Sequence, residues 1–276
     1  MKDNFISVVC PAYNSATFII DTLKSVLAQH QLPNEVIIVD DGSSDQTVSL
    51  IEAFAAENKH LPIRLFKQDH LGPGAARNLG IEKANSSWIA FLDSDDLWFP
   101  TKIESILSAM RSHPEANFFS HNEMMKNIDG SEEQMNYANG LDTSKPLPPQ
   151  LYVRNFFSTS TVVCKRDLLL KWKGFNATLS SAQDYELWLR MSVELVPICI
   201  QDSLGTYVMR KGNISTSSFW RRLINILRIK IMHGNKVPFP KAVYTICLTI
   251  AYYLLLPGLI WFRGKLKKSG KNSLYR

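Results

Sequence analysis

The chain has 276 residues, is 45% apolar, and carries 13 Gly and 13 Pro. That suits one large domain or a domain with an appendage, and excludes collagen-like or long low-complexity architecture. Its net charge of +6 conceals a split: residues 1–202 hold all 25 acids and 17 Lys or Arg, whereas residues 203–276 hold 14 Lys or Arg and no acid. An acidic body with a basic carboxyl-terminal arm calls for an anionic partner, either nucleic acid or a membrane.

The amino terminus, MKDNFISVVCPAY, is too interrupted by polar residues for a signal peptide, so the amino-terminal domain is expected on the cytoplasmic side. Residues 5–10 read as a β-branched strand, and Phe18, Ile19, Leu23, Val26 and Leu27 have helical spacing within 16–30. A second strand over 35–39, a helix over about 46–58 and a third strand over 63–67 follow. Gly72-Pro73-Gly74 opens another helix, Trp88 to Leu92 is a fourth strand, and Pro100 starts a helix to about Arg111. This alternation predicts a mainly parallel sheet covered by helices. Beyond 117 it weakens. Asn117 to His121 reads as a strand, 122–150 as a long polar loop, 159–164 as a strand, and 166–172 and 182–194 as helices. Cys10, Cys164, Cys199 and Cys247 form no CxxC pair, which argues against a disulfide framework or thiolate zinc site and for a reducing compartment. The six histidines show no metal-binding spacing.

Chemistry-bearing residues follow strand ends, where open α/β sheets place ligands. In Val39-Asp40-Asp41-Gly42-Ser43-Ser44-Asp45 a carboxylate would accept hydrogen bonds from a base or ribose; equally, Asp40 or Ser44 would cap the next helix. Asp93-Ser94-Asp95-Asp96 sets three carboxylates within four residues. A hard divalent cation would relieve their repulsion and bridge to a diphosphate, while the alternative is capping before the helix at Pro100. In Gln183-Asp184-Tyr185-Glu186-Leu187-Trp188-Leu189-Arg190, Asp184 falls in the first turn of a largely buried helix. It would serve there as a general base facing the sugar, or only complement the helix dipole.

Together, the VVCPAYN, VDDGSSDQT, GPGAARN, FLDSDD and QDYELWLR segments resemble, in order and rough spacing over about residues 5–215, the family 2 glycosyltransferases of GT-A fold. The resemblance implies a Rossmann-like α/β nucleotide-diphospho-sugar transferase fold with a mostly parallel central sheet. It implies inverting single-displacement transfer from a nucleoside diphosphate sugar, with Mg²⁺ or Mn²⁺ as cofactor and a UDP-sugar as the first guess. Carried onto this chain, Pro11, Ala12 and Tyr13 line the nucleotide pocket, Asp41 contacts the base, and Arg77 helps hold the nucleotide. Asp93 approaches the ribose, Asp95 holds the metal, and Asp184 deprotonates the acceptor hydroxyl; Asp96 is left to cap the following helix. The family usually has Glu before that Asp. Gln183 here spares the base but removes a neighbouring charge that would tune it. Tyr207 and Arg210, followed by Ser215, resemble a loop that closes over the donor. Relatives often carry His at the position of Arg210, and a solvated or lipid-facing charge would explain this arginine equally well.

The arm, residues 216–276, is expected to be a membrane-associated region. Trp220, Leu223, Ile224, Leu227 and Ile231 share one helical face and Arg221, Arg222, Asn225 and Arg228 another, the pattern of an interfacial amphipathic helix. Residues 242–262 carry no charge for 21 residues, enough to span a bilayer, and Arg263, Lys265, Lys267, Lys268 and Lys271 suit anionic headgroups. Pro257 leaves a surface-lying hairpin open, and a buried core helix with a solvated tail is the plainer alternative. The aliphatic content disfavours nucleic acid. The expectation is therefore a site at the cytoplasmic face of the cell membrane acting on a glycan or lipid-linked acceptor in envelope polysaccharide synthesis. The competing readings are a sugar-phosphate nucleotidyltransferase, for which no Gly-rich phosphate loop follows the first strand, and a non-catalytic membrane scaffold, which the intact Asp93, Asp95 and Asp184 oppose.

Overall fold

The computed structural model of the chain describes residues 5–210 and 219–271, with side chains for residues 5–210 and 220–255. Its first half is a parallel sheet in the order β3-β2-β1-β4, built from β1 (Ile6–Ala12), β2 (Glu35–Asp40), β3 (Ile63–Lys67) and β4 (Trp88–Phe91). Helices α1 (Ile19–Leu27), α2 (Thr47–Glu57) and α3 (Pro73–Lys83) make the crossovers that parallel neighbours require. The central strands β1, β2 and β4 are buried along their whole length because both faces are covered, and most of their residues are apolar. Val9, Ile37, Ile89 and Phe91 face one helical layer, and Val8, Cys10, Ile38 and Ala90 face the other. Helix α3 lies directly on β1: a Cβ at Gly80 would collide with the Val9 side chain, so any larger residue there would push the helix off the sheet.

Beyond β4 the sheet is mixed, where the sequence predicts a mostly parallel one. Strands β5 (Leu97–Trp98), β6 (Phe118–Lys126), β7 (Glu132–Met135), β8 (Val163–Lys165) and β9 (Pro197–Val208) extend it as β4-β8-β6-β9-β5. The β4–β8, β8–β6 and β9–β5 pairs are antiparallel, β6–β9 is parallel, and β7 folds back on β6 as a hairpin. The second half replaces the βαβ crossovers of the first with hairpins and loops, so antiparallel pairing becomes available.

Residues 122–150 are not the predicted loop. They hold the end of β6, β7, and the start of α5 (Leu147–Val153). The strand escapes a hydropathy reading because its buried residues include Ser120, His121, Asn122 and Glu123. Helix α4 (Lys102–Ser112) covers one face of the sheet, and α6 (Arg166–Lys171) and α7 (Gln183–Met191) the other. Trp188 anchors α7, with ring centroids 5.1 Å from Phe118 and 6.2 Å from Phe91.

The arm forms α8 (Phe219–Met232) and α9 (Phe239–Lys271). Helix α9 is continuous through Pro257, so the hairpin does not form. Among the described residues no helix is long and apolar enough to cross a membrane. The expected span 242–262 extends into residues whose side chains lie outside the described set, as do the lysines beyond it and Ser215. Helix α8 docks with a face other than the apolar one read from the sequence. Leu223, Asn225, Ile229 and Lys230 are buried, while Trp220 (61% exposed) and Ile231 (70%) point outward. Hydrogen bonds decide this orientation. The Asn225 amide donates to Ser180 Oγ and Ser181 Oγ (3.1 and 3.0 Å), and Lys230 Nζ donates to the Tyr152 carbonyl (2.7 Å). His233 meets the Glu186 carboxylate of α7 at 3.0 Å.

Candidate active site

Because β1, β2 and β4 are adjacent and parallel, their carboxyl ends open on one edge, which brings Pro11–Tyr13, Asp41 and Asp93–Asp96 together. Both oxygens of the Asp41 carboxylate are engaged by the segment after β3. Gln68 Nε2 (2.6 Å) and Leu71 N (2.9 Å) donate to Oδ1, and Gly72 N (2.9 Å) and His70 Nδ1 (3.0 Å) meet Oδ2. That anchorage holds the His70 ring stacked on Tyr13, centroids 4.0 Å apart, so the exposed Tyr13 ring forms a flat ledge at the rim. Asp45, not Asp40 or Ser44, holds the start of α2, accepting from Thr47 N at 3.0 Å. Asp40 instead accepts from Ser43 N (3.1 Å), and Ser44 N donates to Asn14 Oδ1 (2.9 Å).

The three carboxylates after β4 separate into three environments. Asp93 Oδ1 takes a 2.5 Å bond from the buried Arg77 guanidinium, whose Nε has no hydrogen-bond partner among the described residues. Asp95 is half-buried at the cleft. Burial and then the charge of Asp93 raise its carboxyl from the usual range to about 6, against the pull of Arg210. Asp96 is buried and takes a 2.5 Å bond from Ser160 Oγ, while the N-cap position of α4 falls at Thr101, whose side chain makes no capping bond. Asp96 therefore does not cap the following helix. It belongs to an internal cluster with Lys102 and Glu123. Lys102 Nζ donates to Ser160 O (2.7 Å) and sits 3.9 Å from the Trp98 ring centroid. Burial pushes the Asp96 carboxyl well up and the lysine well down; Glu123 is raised to about 7 by burial, opposed by Lys102. Sequence reasoning missed this cluster. Its signal was Lys102 in the inward stripe with Ile103, Ile106 and Met110, and Glu123 at the same strand parity as buried Phe119.

Across the cleft, α7 starts at Ala182, whose backbone is left-handed (φ 58°). Asp184 in its first turn accepts from Asn155 Nδ2 at 3.1 Å. Burial raises its carboxyl above the ordinary value, opposed by the Tyr185 backbone N–H and Arg77. Asn155 was not foreseen. Gln183 accepts a 3.4 Å bond from Arg77 and donates its amide to the Leu179 carbonyl, a bond an ionised glutamate could not make. Arg210 is half-buried at the cleft. Its guanidinium covers the Phe18 ring at 3.4 Å and donates to the Asp95 carbonyl at 3.1 Å. Tyr13, Asp41, Arg77, Asp93–Asp96, Asp184 and Arg210 border one cleft of about 1610 Å³, which continues along α8 and α9.

Strand-end acids, an aromatic ledge and two arginines thus share one cleft with a carboxylate on a separate helix, at the strand ends where open α/β sheets place ligands. The chain belongs to glycosyl transferase family 2, whose family model matches residues 7–167. It is similar to the amylovoran biosynthesis glycosyltransferase AmsB of Erwinia amylovora, with 32% identity over 80% of this chain and 77% of that one. Three Rickettsia relatives are named uncharacterized glycosyltransferases, and the chain spans only about a third of their length or less. In fold it is similar to S. aureus TarS 1-349 in complex with UDP-GlcNAc (TM-score 0.67, 20% identity, 89% of this chain and 71% of that one). It is also similar to the mannosyltransferase PcManGT of Pyrobaculum calidifontis in complex with GDP-Man and Mn²⁺ (0.65, 18%, 90% and 69%).

Proposed function

We propose that the chain transfers a sugar, with inversion, from a nucleoside diphosphate sugar to a hydroxyl of a lipid-linked glycan in envelope polysaccharide synthesis. UDP-sugars are the first donors to test. The observation that carries this reading is one cleft bordered on one side by Asp95 with Arg77 and Arg210, and on the other by Asp184. The nucleotide base lies on the Tyr13 ledge, and Asp41 positions that ledge by holding the 68–72 segment. Asp93, fixed by Arg77, is turned toward the ribose. Arg77, whose Nε has no hydrogen-bond partner among the described residues, and Arg210, whose terminal nitrogen stands 4.0 Å from the Asp95 carboxylate, offer donors to a leaving diphosphate. Asp184 takes the acceptor proton; its raised affinity for protons brings it nearer to the operating pH of a general base.

The residues fit a divalent cation. Asp95 carries negative charge that the protein leaves incompletely balanced. Among the described residues no three metal-binding side chains cluster. The ion would thus rest on Asp95 and on diphosphate oxygens, the pattern Mg²⁺ and Mn²⁺ adopt with substrate phosphates. When bound it would offset charge on the leaving group. PcManGT with Mn²⁺ supports this choice. The outward stripe of α8 and the basic arm support residence at the cytoplasmic face of the membrane. AmsB and the teichuronic acid glycosyltransferase TuaG, by their names, support the envelope setting.

The test assays UDP release from a panel of UDP-sugars with Mn²⁺ and short polyprenyl-diphosphate glycans. Asp184→Asn is expected to lower turnover about 10²–10⁴-fold while UDP still binds. Asp95→Ala is expected to abolish the Mn²⁺ dependence of UDP binding. Full turnover in Asp184→Asn would sink the base assignment.

A further inference from the structure

The cleft does not end at Asp184. Its far wall is built by the arm. On α9 the cleft-lining residues are Thr245, Leu248, Thr249, Tyr252 and Tyr253, spaced i, i+3, i+4, i+7 and i+8. On α8 they are Arg222, Ile226 and Lys230, spaced i, i+4 and i+8. Each set is one helical face, so the arm presents two continuous stripes to the cavity.

By residue type the wall looks half polar; by bonding it is largely apolar. Thr245 Oγ1 donates to the Lys241 carbonyl (2.9 Å), and Thr249 Oγ1 to the Thr245 carbonyl (2.8 Å), leaving their methyl groups without a competing hydroxyl donor. Tyr185 OH donates to the Tyr152 carbonyl and Tyr152 OH to the Lys230 carbonyl, both at 2.9 Å. Lys230 Nζ is taken by the Tyr152 carbonyl. Arg222 contributes positive charge on this wall, close enough to Tyr253 to act on its hydroxyl electrostatically. The stripe emerges at Leu248 (49% exposed) and Tyr252 (59% exposed), beside the outward apolar residues of α9.

We infer that α8 and α9 form an acceptor subsite for an amphiphile: a glycan joined through an anionic phosphate linker to an isoprenoid-like chain. The chain lies along Ile226, Leu248 and Tyr252, the phosphate faces Arg222, and the glycan hydroxyl reaches Asp184. This rests on the donor and base assignment proposed above, and names what the opposite half of the same cleft selects. The arm is then part of the substrate site, not only a tether.

The probe is a dansyl-tagged farnesyl diphosphate, titrated by fluorescence anisotropy into the full chain in saturating UDP and Mn²⁺, which block the donor end. Expected is saturable binding that inorganic diphosphate does not displace. Leu248→Asp and Tyr252→Asp should each weaken it tenfold or more, whereas Ile231→Asp, on the outward face of α8, should leave it unchanged. Binding by both cleft variants equal to that of the parent chain overturns the inference. So does an equal loss in Ile231→Asp, which would mean unspecific apolar contact, or full displacement by inorganic diphosphate. UDP binding by each variant, read by thermal shift, reports folding; a misfolded Leu248→Asp leaves Tyr252→Asp to decide. If the parent chain binds no UDP, the donor reading fails, and the probe titrated without nucleotide still tests the subsite.

Discussion

The two ends of the cleft use similar residue types in opposite ways. At the donor end, among the described residues, buried Arg77 keeps an Nε without a hydrogen bond, and Asp95 has only a long 4.0 Å ion pair with Arg210, which leaves its carboxyl raised to about 6. At the arm end the hydroxyls of Tyr152, Tyr185, Thr245 and Thr249 and the ammonium of Lys230 are satisfied by backbone carbonyls. One end withholds its hydrogen-bonding capacity for a charged ligand, and the other consumes it and becomes apolar. A polar residue in a cavity therefore signals recognition only when the chain has not already used it.

The donor end can afford unsatisfied groups because its floor is fixed from below. Ser160 ties Asp93 and Asp96 together, its Oγ accepting from Asp93 N (3.1 Å) and donating to Asp96 (2.5 Å), and Lys102 holds the Ser160 carbonyl. Lys102→Met removes the cation that faces the buried Asp96 and Glu123 carboxyls. A loss of about 3–5 kcal/mol is expected, since breaking a buried pair leaves uncompensated charge. Urea unfolding measures it. A loss below about 1 kcal/mol would mean that both acids are neutral in the folded protein, and that the floor stands on packing alone.

At the arm end the tie is lighter. Asn225→Ala deletes the bonds to Ser180 and Ser181. The expected penalty is about 1–3 kcal/mol, confined to the docking of α8. Hydrogen exchange should therefore quicken across residues 219–232 while β1 and β4 keep their protection. Equal loosening of β1 and β4 would break the distinction between a fixed floor and a detachable wall.

The same contrast explains what could be read from the chain alone. Strands β2 and β4 and the acids after them are local patterns: an apolar run buried on both faces, then a carboxylate where the run stops. Family resemblance then supplied roles for Arg77 and Asp184 that spacing could not. Lys102 and Glu123 escaped because their partners lie far along the chain, Ser160 being 58 residues from Lys102. Without those partners a lysine in an apolar stripe reads as surface. The orientation of α8 was misread for the same reason. Trp220, Ile224 and Ile231 make the more apolar face, yet partners on the 180–181 loop and α5 turn Asn225 and Lys230 inward. Strand β9 was not foreseen at all, since its burial depends on pairing with β6, itself masked by buried polar residues.

The smallest effect tests the seam between the two ends. Gln183 bridges them, accepting from Arg77 and donating to the Leu179 carbonyl ahead of α7. Gln183→Glu places a carboxylate beside Asp184 and faces the Leu179 carbonyl with an acceptor. The sign follows from Asp184, which must be ionised to act as a base. A neighbouring negative charge favours its protonated form and raises its pKa further above the ordinary value, so the acidic limb of the pH–rate profile moves to higher pH. Arg77 opposes the shift by pairing with the new carboxylate, which holds it to about one pH unit or less. Turnover well above the limb should change little. A limb that moves to lower pH would show that the introduced carboxylate draws Arg77 and its charge toward Asp184, making the seam part of the donor end. An unmoved limb would show that the observed titration belongs to some group other than Asp184.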